Sequence, residues 1–448
     1  MGRLFGTDGV RGIANDELTC ELALSIGRAT AVILRNKEGR APSVIVGCDT
    51  RISSDMLASA IMAGLCSMGA NAIYLGVTAT PAVAHLVKRN KADAGIMISA
   101  SHNPSEYNGI KIFSSDGFKL PDALEDRIET MILMPDKYLG HTVKETGRVI
   151  YSSEALKDYT EHIISASGTE LSGLKIAIDC SNGSASRTAP EIFKSLGAEV
   201  SVLSAEPDGY NINRDCGSTH IEALRKYVVY NALDAGFAFD GDADRCLCVD
   251  ENGTVVDGDF ILAICSLDLK KRGLLKNNTV VGTVMTNFGF TKFCRENDIS
   301  FIPTKVGDRY VLEEMLVGDY KLGGEQSGHI IFLDFATTGD GQLTAVQVLS
   351  LMKRSGKSLS KLASVMQRSP QVLINITVDA ESKLRFYTDS DVQAAISEAE
   401  ALLGEDGRIV VRPSGTEPMI RVMTEGSDKE LITKCAERVA DVIKSNLG

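Results

Sequence analysis

GIMISASHNP, at residues 95–104, is the stretch on which the reading of this chain turns. Gly95-Ile96-Met97-Ile98 is an apolar run too brief for a helix and reads as a buried strand. It breaks into Ser99-Ala100-Ser101-His102-Asn103-Pro104, small and polar residues closed by a proline that disfavours helix at Asn103. Ser101 is therefore expected on a tight loop at the carboxyl end of a strand, where α/β sheets bind their ligands. A lone Ser-x-Asn-Pro is an ordinary polar turn. Three further polar loops downstream change the odds.

Outward from this stretch the chain alternates strand and helix. Residues 43–48 (SVIVGC) read as a strand ending in Asp49-Thr50-Arg51, followed by a helix over 54–68 and a strand over 71–75. A helix at 18–36, with Asn15 or Asp16 as N-cap, precedes them, and one at 80–90 leads into the Ser101 strand. Such alternation implies a mostly parallel sheet with right-handed crossovers. Strand, polar loop, helix and strand recur at 44–75, 176–203 and 280–304, which suggests three related α/β domains. The tail differs: 371–378, 408–412 and 419–424 alternate like half-exposed antiparallel strands, joined by helices near 390–403 and 428–445. The expected fold is three related α/β domains with mainly parallel mixed sheets, plus a C-terminal α+β domain, arranged around a central cleft. Its boundaries are expected at 1–150, 151–252, 253–367 and 368–448.

Composition sets the class. Of 448 residues, 44% are hydrophobic and 24% charged, as in soluble globular proteins. No apolar run approaches the ~20 residues that span a bilayer, and MGRLFGTDGVRG lacks the apolar core of a signal peptide. The ten cysteines are scattered without metal-ligand pairing; Cys246 and Cys248 share one strand face and suit packing, which points to a reducing cytoplasm. A net charge of −12 without a basic cluster argues against nucleic acid as partner. An anionic ligand must then be met by locally gathered Arg, Lys and backbone N–H groups.

Four loops supply such chemistry. Asp240-Gly241-Asp242-Ala243-Asp244-Arg245 follows an apolar strand, and carboxylates at i, i+2 and i+4 converge on one hard cation, with Mg²⁺ the default beside phosphate. An EF-hand is excluded, although Glu251 falls at the twelfth position: Arg245 occupies the obligatory glycine and the flanks read as strands. Gly324-Glu325-Gln326-Ser327-Gly328-His329 places Glu325 and Ser327 two apart, suited to sugar hydroxyls, with His329 available for proton transfer or phosphate binding. Arg412-Pro413-Ser414-Gly415-Thr416-Glu417-Pro418, with Arg421 beyond, combines guanidinium forks with a nest of N–H groups and hydroxyls suited to phosphate. Phe5-Gly6-Thr7-Asp8-Gly9-Val10-Arg11-Gly12 is a glycine-rich loop that brings backbone close to a ligand. Lys111 lies within reach of the Ser101 loop, either as general acid/base or as an exposed strand cation.

SASHNP at 99–104, DGDADR at 240–245, GEQSGH at 324–329 and RPSGTEP at 412–418 stand in the order they take in the α-D-phosphohexomutases, which the chain resembles over essentially its whole length. The resemblance implies that Ser101 carries a transferable phosphoryl group and that Asp240, Asp242, Asp244 and a phosphoserine oxygen hold one Mg²⁺. It implies that Glu325 and Ser327 bind sugar hydroxyls, and that Arg412, Ser414, Gly415, Thr416 and Arg421 bind the non-reacting phosphate. It places Lys111, His329, Arg11 and Arg245 near the reacting groups. Gln326 and Val306-Gly307-Asp308-Arg309 resemble the amino-sugar branch rather than the phosphomannomutase/phosphoglucomutase branch; Ala243 stands where the family often has glycine.

The activity so implied is a reversible 6-phosphate to 1-phosphate transfer on an amino-sugar phosphate, feeding UDP-N-acetylglucosamine synthesis. It runs through phosphorylated Ser101, with a hexose 1,6-bisphosphate as intermediate and activator. Positioning and charge neutralisation carry such a reaction, and the tail domain is expected to close as a lid. A homodimer is expected from the resemblance alone. The rival readings are a phosphomannomutase or phosphoglucomutase, a non-catalytic sugar-phosphate sensor, and a metal-dependent phosphatase.

Overall fold

Val44, Val46 and Cys48 point to one side of their strand and Ile45 to the other, and each set is buried in a different apolar cluster. That period-two alternation, apolar on both faces, marks a strand sandwiched between layers. The protein, described here from a computed structural model covering residues 4–6, 8–35, 40–140, 145–152, 154–414 and 418–448, is built accordingly. It divides into two compact units, Met1–Thr283 with Ile302–Ser364, and Val284–Phe301 with Val365–Gly448.

The first unit opens with a six-stranded sheet in the spatial order Val10–Ile13, Tyr107–Ser114, Ala94–Ile98, Ser43–Cys48, Asn71–Val77, Val149–Tyr151. Tyr107–Ser114 runs against its neighbours on both sides and the remaining pairings are parallel, so the sheet is mixed. Helices Cys20–Leu34 and Ser53–Ser67 join the cluster on one face, and Thr80–Arg89 the cluster on the other. The N-cap of the first helix is Thr19, whose hydroxyl accepts the Leu22 N–H at 3.3 Å; neither Asn15 nor Asp16 caps it. The Ile13 carbonyl gathers the N–H groups of Asp16, Glu17 and Leu18 into a turn, with Asn15 at φ +64° inside it, so the helix starts later than its composition suggests.

A five-stranded sheet follows, in the order Val255–Val256, Cys246–Asp250, Ala235–Phe239, Lys175–Asp179, Glu199–Leu203. A third sheet of this unit pairs Thr279–Thr283 in parallel with Leu322–Gly324, and that strand antiparallel with Ile330–Phe332. The repeat seen in the sequence has its elements in place: strand, loop, helix and strand run over Ser43–Cys48 to Asn71–Val77 and Lys175–Asp179 to Glu199–Leu203, each pair parallel. In the third copy the helix Phe288–Glu296 belongs to the second unit.

The second unit is an antiparallel sheet, Gln371–Thr377, Met419–Gly426, Gly407–Pro413, covered by Ser390–Leu403 and Lys429–Leu447 around its own apolar core. Inside it, buried Glu425 ties Phe288–Glu296 to the sheet: it accepts from Asn287 Nδ2 at 2.8 Å and the Phe288 N–H at 3.1 Å, and pairs with Arg408. All ten cysteines are free, Cys246 and Cys248 both buried as packing residues. Among the described residues no helix is long and apolar enough to cross a membrane.

Candidate active site

Ser101 sits where its strand stops, at φ +53° and 1% exposed. A non-glycine residue costs about 1–2 kcal/mol there, so the surroundings must over-determine it. They do. The Ser99 hydroxyl accepts the Ser101 N–H at 2.9 Å and donates to Asp49 at 2.7 Å. Arg51, buried and paired with Asp49 at 2.8 Å, donates to the carbonyls of Ser101 (3.0 Å), Asn103 (2.8 Å) and Tyr107 (3.0 Å), and to that of Pro104. Asn213 Nδ2 donates to the Ser101 and Asn103 carbonyls at 2.9 and 3.1 Å, and the Ser181 hydroxyl fixes the Asn213 amide at 2.7 Å.

The loop from Asp240 to Arg245 joins two antiparallel strands, Ala235–Phe239 and Cys246–Asp250, and presses against the Ser101 loop. A Cβ on Gly241 would stand 2.6 Å from the Ser101 carbonyl, and one on Gly183 would stand 2.4 Å from the Gly241 carbonyl, so both positions require glycine. Ala243 adopts φ +58°, a conformation glycine holds without strain and alanine does not, which gives its departure from the family pattern a physical meaning. Ser101 Oγ donates to Asp240 Oδ2 at 2.6 Å, while Asp240 Oδ1 accepts the Arg245 N–H. Asp242 Oδ2 accepts from Thr80 Oγ1 at 2.6 Å and Lys111 Nζ at 2.9 Å. Asp242 Oδ1 and Asp244 Oδ1 are buried without a hydrogen bond.

One oxygen from each of Asp240, Asp242 and Asp244 lies within 4.8 Å of the others. Burial, then the Asp244 and Asp242 charges, drive the Asp240 carboxyl well above its ordinary range, which marks a site short of positive charge. Hard oxygen donors suit a divalent cation such as Mg²⁺: Asp242 Oδ1 has no hydrogen bond, and Asp244 Oδ1 has only the longer contacts with His329 Nδ1 at 3.7 Å and Arg245 Nε at 3.8 Å. Glu251 takes no part: it accepts from Ser360 instead.

Around the triplet runs a closed ring of alternating charge. Lys111, 2% exposed and so not a surface cation, reaches Asp242, Asp8 at 3.1 Å and Asp244 at 3.4 Å. Lys119 bridges Asp8 and Asp308 at 2.5 Å each. His329 closes the ring, its Nε2 3.4 Å from Asp308 and its Nδ1 3.7 Å from Asp244. Burial opposes the Lys111 ammonium, but Asp242, Asp8 and Asp244 outweigh it and hold its pKa well above the ordinary value. Burial likewise opposes charge on His329, and Asp244 with Asp308 prevails and pulls it up. Asp244 and Asp8 are held low, chiefly by Lys111 against burial.

A cavity of about 530 Å³ opens onto this ring, lined by Asp8, Arg11, Asp244, Arg245, Glu325 and His329 among others. Ser101, Asp240, Asp242 and Lys111 are buried and do not line it; they connect to its wall through the contacts of Lys111 with Asp8 and Asp244 and of Asp240 with the Arg245 N–H. Arg11 pairs with Asp8, and Glu325 Oε1 accepts the Gly307 N–H at 3.1 Å. Ser327 Oγ is buried without a hydrogen bond, and Gln326 Nε2 donates to Asp259 at 3.1 Å. In the second unit, Arg412 and Arg421 stand opposite one another on paired strands, and the Ser414 N–H donates to the Met419 carbonyl. Gly415 and Thr416 lie outside the described residues. Asp8 and Asp308 fell inside quoted motifs without being singled out. Nothing local in the sequence marks a role for Lys119, Thr80 or Asn213, whereas the position of Arg51 in Asp49-Thr50-Arg51 at a strand's end is a usable signal.

Four domain descriptions of the phosphoglucomutase/phosphomannomutase family match in sequence: alpha/beta/alpha domain I over 2–138, domain II over 157–253, domain III over 257–369, and the C-terminal domain over 373–442. The chain belongs to this family. It is similar to proteins named phosphoglucosamine mutase from Acetivibrio thermocellus (54% identical, 100% of both chains covered) and Clostridium novyi (53%, 99% of both). The fold is shared with a phosphoglucomutase/phosphomannomutase family protein of Burkholderia thailandensis, at TM-score 0.85 and 22% identity over 100% of this chain and 98% of that one. It is also shared with the Aspergillus fumigatus N-acetylphosphoglucosamine mutase solved with GlcNAc-6P and magnesium, at TM-score 0.66 and 17% identity over 99% and 95%.

Proposed function

We propose that the chain is a phosphoglucosamine mutase, an isomerase that interconverts glucosamine 6-phosphate and glucosamine 1-phosphate by way of phosphorylated Ser101. The observation that carries this reading is the Ser101 hydroxyl, set 2.6 Å from the first carboxylate of a buried triplet whose other two members keep an oxygen free of hydrogen bonds. The curated relatives' names supply the sugar.

Asp240, Asp242 and Asp244 would hold Mg²⁺ together with a phosphoserine oxygen, and the ion would offset the charge of the transferred group. The chain's own residues do the rest. The Arg51 and Asn213 bonds pin the Ser101 backbone, so the phosphoryl group is offered in one orientation. The bond from phosphorus to Ser101 Oγ breaks as one forms to a sugar hydroxyl; the proton of that hydroxyl must leave and Ser101 Oγ must gain one, so the transfer is proton-neutral. Lys111 is an unsuitable acceptor, because three carboxylates hold it as the cation; it and Arg245 serve as fixed positive charge. His329 lines the cavity, and the Gly339 N–H donates to its Nε2 at 3.0 Å, so that lone pair is engaged in the resting structure. Asp244 and Asp308 favour a second proton on the imidazole, and once the Gly339 N–H releases Nε2, His329 is the general base there for the first transfer and the acid for its reverse.

The bisphosphorylated sugar then turns over and returns its other phosphate to Ser101. Glu325 and Ser327 bind sugar hydroxyls in both poses. Arg412, Ser414, Gly415, Thr416 and Arg421 hold the phosphate that does not react, Arg412 and Arg421 standing directly opposite one another across the ladder. The four segments 1–150, 151–252, 253–367 and 368–448 act as its domains. The enzyme works in the cytoplasm, takes hexose 1,6-bisphosphate as activator and forms a homodimer. Side-by-side turnover of glucosamine, glucose and mannose 6-phosphates tests the reading: kcat/KM should be highest for glucosamine, and a preference for glucose or mannose would overturn the substrate.

A further inference from the structure

We propose that Thr80 selects which oxygen of Asp242 faces the cation, and is thereby a positioning residue of the metal site. The proposal rests on the reading of the carboxylate triplet as that site.

Thr80 opens the helix Thr80–Arg89, far in sequence from the acidic loop, yet grips Asp242 twice. Its N–H donates to the Asp242 carbonyl at 2.9 Å, and its hydroxyl to Oδ2 at 2.6 Å. Both residues are buried, Thr80 at 1% and Asp242 at 0% exposure. Lys111 Nζ takes the same Oδ2 at 2.9 Å, so two donors load one oxygen while Oδ1, equally buried, has no hydrogen bond. A carboxylate can turn about its Cβ–Cγ bond and present either oxygen. Here the loading is one-sided, and the oxygen left for a ligand is Oδ1.

Lys111 alone would not fix this. Its ammonium is shared with Asp8 and Asp244, and a three-way bond of that kind follows the carboxylates rather than orienting them. The Thr80 hydroxyl has one partner, and the helix behind it is anchored in the apolar cluster of Val83, Ala84, Leu86 and Val87. Groups that orient a metal's ligands commonly change its affinity by about 10–100-fold when removed.

Titration calorimetry of Mg²⁺ into wild type and the variants Thr80→Val, Thr80→Ala, Thr80→Ser and Asp242→Asn tests this, with metal-free melting recorded for each. Thr80→Val keeps the shape and the backbone bond and removes only the hydroxyl. The proposal expects Thr80→Val and Thr80→Ala to bind Mg²⁺ about 10–100-fold more weakly, with Thr80→Ser close to wild type. A purely structural role would lower the melting temperature of Val and Ala and leave the affinity of their folded fraction unchanged, which overturns the proposal. Wild type that takes up no Mg²⁺, or an Asp242→Asn variant that binds as wild type does, overturns the metal-site reading instead, and Thr80 loses its role with it.

Discussion

Ser101 Oγ lies 2.6 Å from Asp240 Oδ2, although 139 positions separate the two in the chain. As a free hydroxyl, Ser101 donates that hydrogen bond and satisfies the carboxylate. Phosphorylation removes the donor and sets a doubly charged group against an acidic triplet already short of positive charge. Phosphorylated protein should therefore bind Mg²⁺ more tightly than the dephosphorylated form, by roughly tenfold or more for ~1.4 kcal/mol of added attraction. Calorimetry on the two forms measures it. Chelation of the metal should abolish turnover, and added Mg²⁺ should restore it.

Arg51 is the clamp on the loop that carries Ser101. Its buried guanidinium meets Asp49 and four carbonyls of the segment from Ser101 to Tyr107. Arg51→Met strands the Asp49 charge in the interior and should cost about 3–5 kcal/mol, read as a lower denaturant midpoint. Arg51→Lys keeps the charge but not the fork, and should recover only part of both stability and turnover.

Lys119 joins Asp8 to Asp308 and never meets the triplet itself. Replacing it by Met leaves two half-buried carboxylates without their shared cation. A double-mutant cycle of Lys119→Met with Asp308→Asn should give a coupling energy of about 0.5–3 kcal/mol, the double variant being more stable than the sum of the singles. Additive losses would show that the ring is not one unit.

Asp340 carries a pH signature. Burial pushes its carboxyl up to about 6, against hydrogen bonds from the Leu343 N–H and from Tyr159 at 2.9 Å. A folded-state pKa above the unfolded one contributes stability that is complete below about pH 4 and is lost as pH rises through about 6. The two-unit gap is worth about 3 kcal/mol. Asp8 and Asp244, held low, give the opposite slope, so the difference between wild type and Asp340→Asn is the quantity to measure. Wild type minus variant should fall between pH 4 and 6 and be flat above.

What could be read from the chain alone follows how local each signal is. Pro104 and the apolar run before Ser99 place Ser101 on its loop, and the spacing of Asp240, Asp242 and Asp244 shows their convergence without a partner. The alternation of Gln371–Thr377 gives an antiparallel sheet directly. Thr80 meets Asp242 across 162 positions and Lys119 meets Asp308 across 189, and no spacing rule reaches that far. Lys111 shows why environment escapes a motif: a lysine on a strand is ordinarily solvated, and only the assembled sheets put three carboxylates around it. Thr19 displaced Asn15 and Asp16 as cap because a carbonyl-centred turn used those residues first.

The most direct test of the account is intact-mass analysis of wild type and Ser101→Ala after exposure to a hexose 1,6-bisphosphate, alongside glucosamine 6-phosphate turnover. Wild type should carry one phosphoryl group on the peptide containing Ser101 and turn substrate over, while Ser101→Ala, melting as wild type does, should carry none and show no turnover. Appreciable mutase activity in Ser101→Ala would contradict the account.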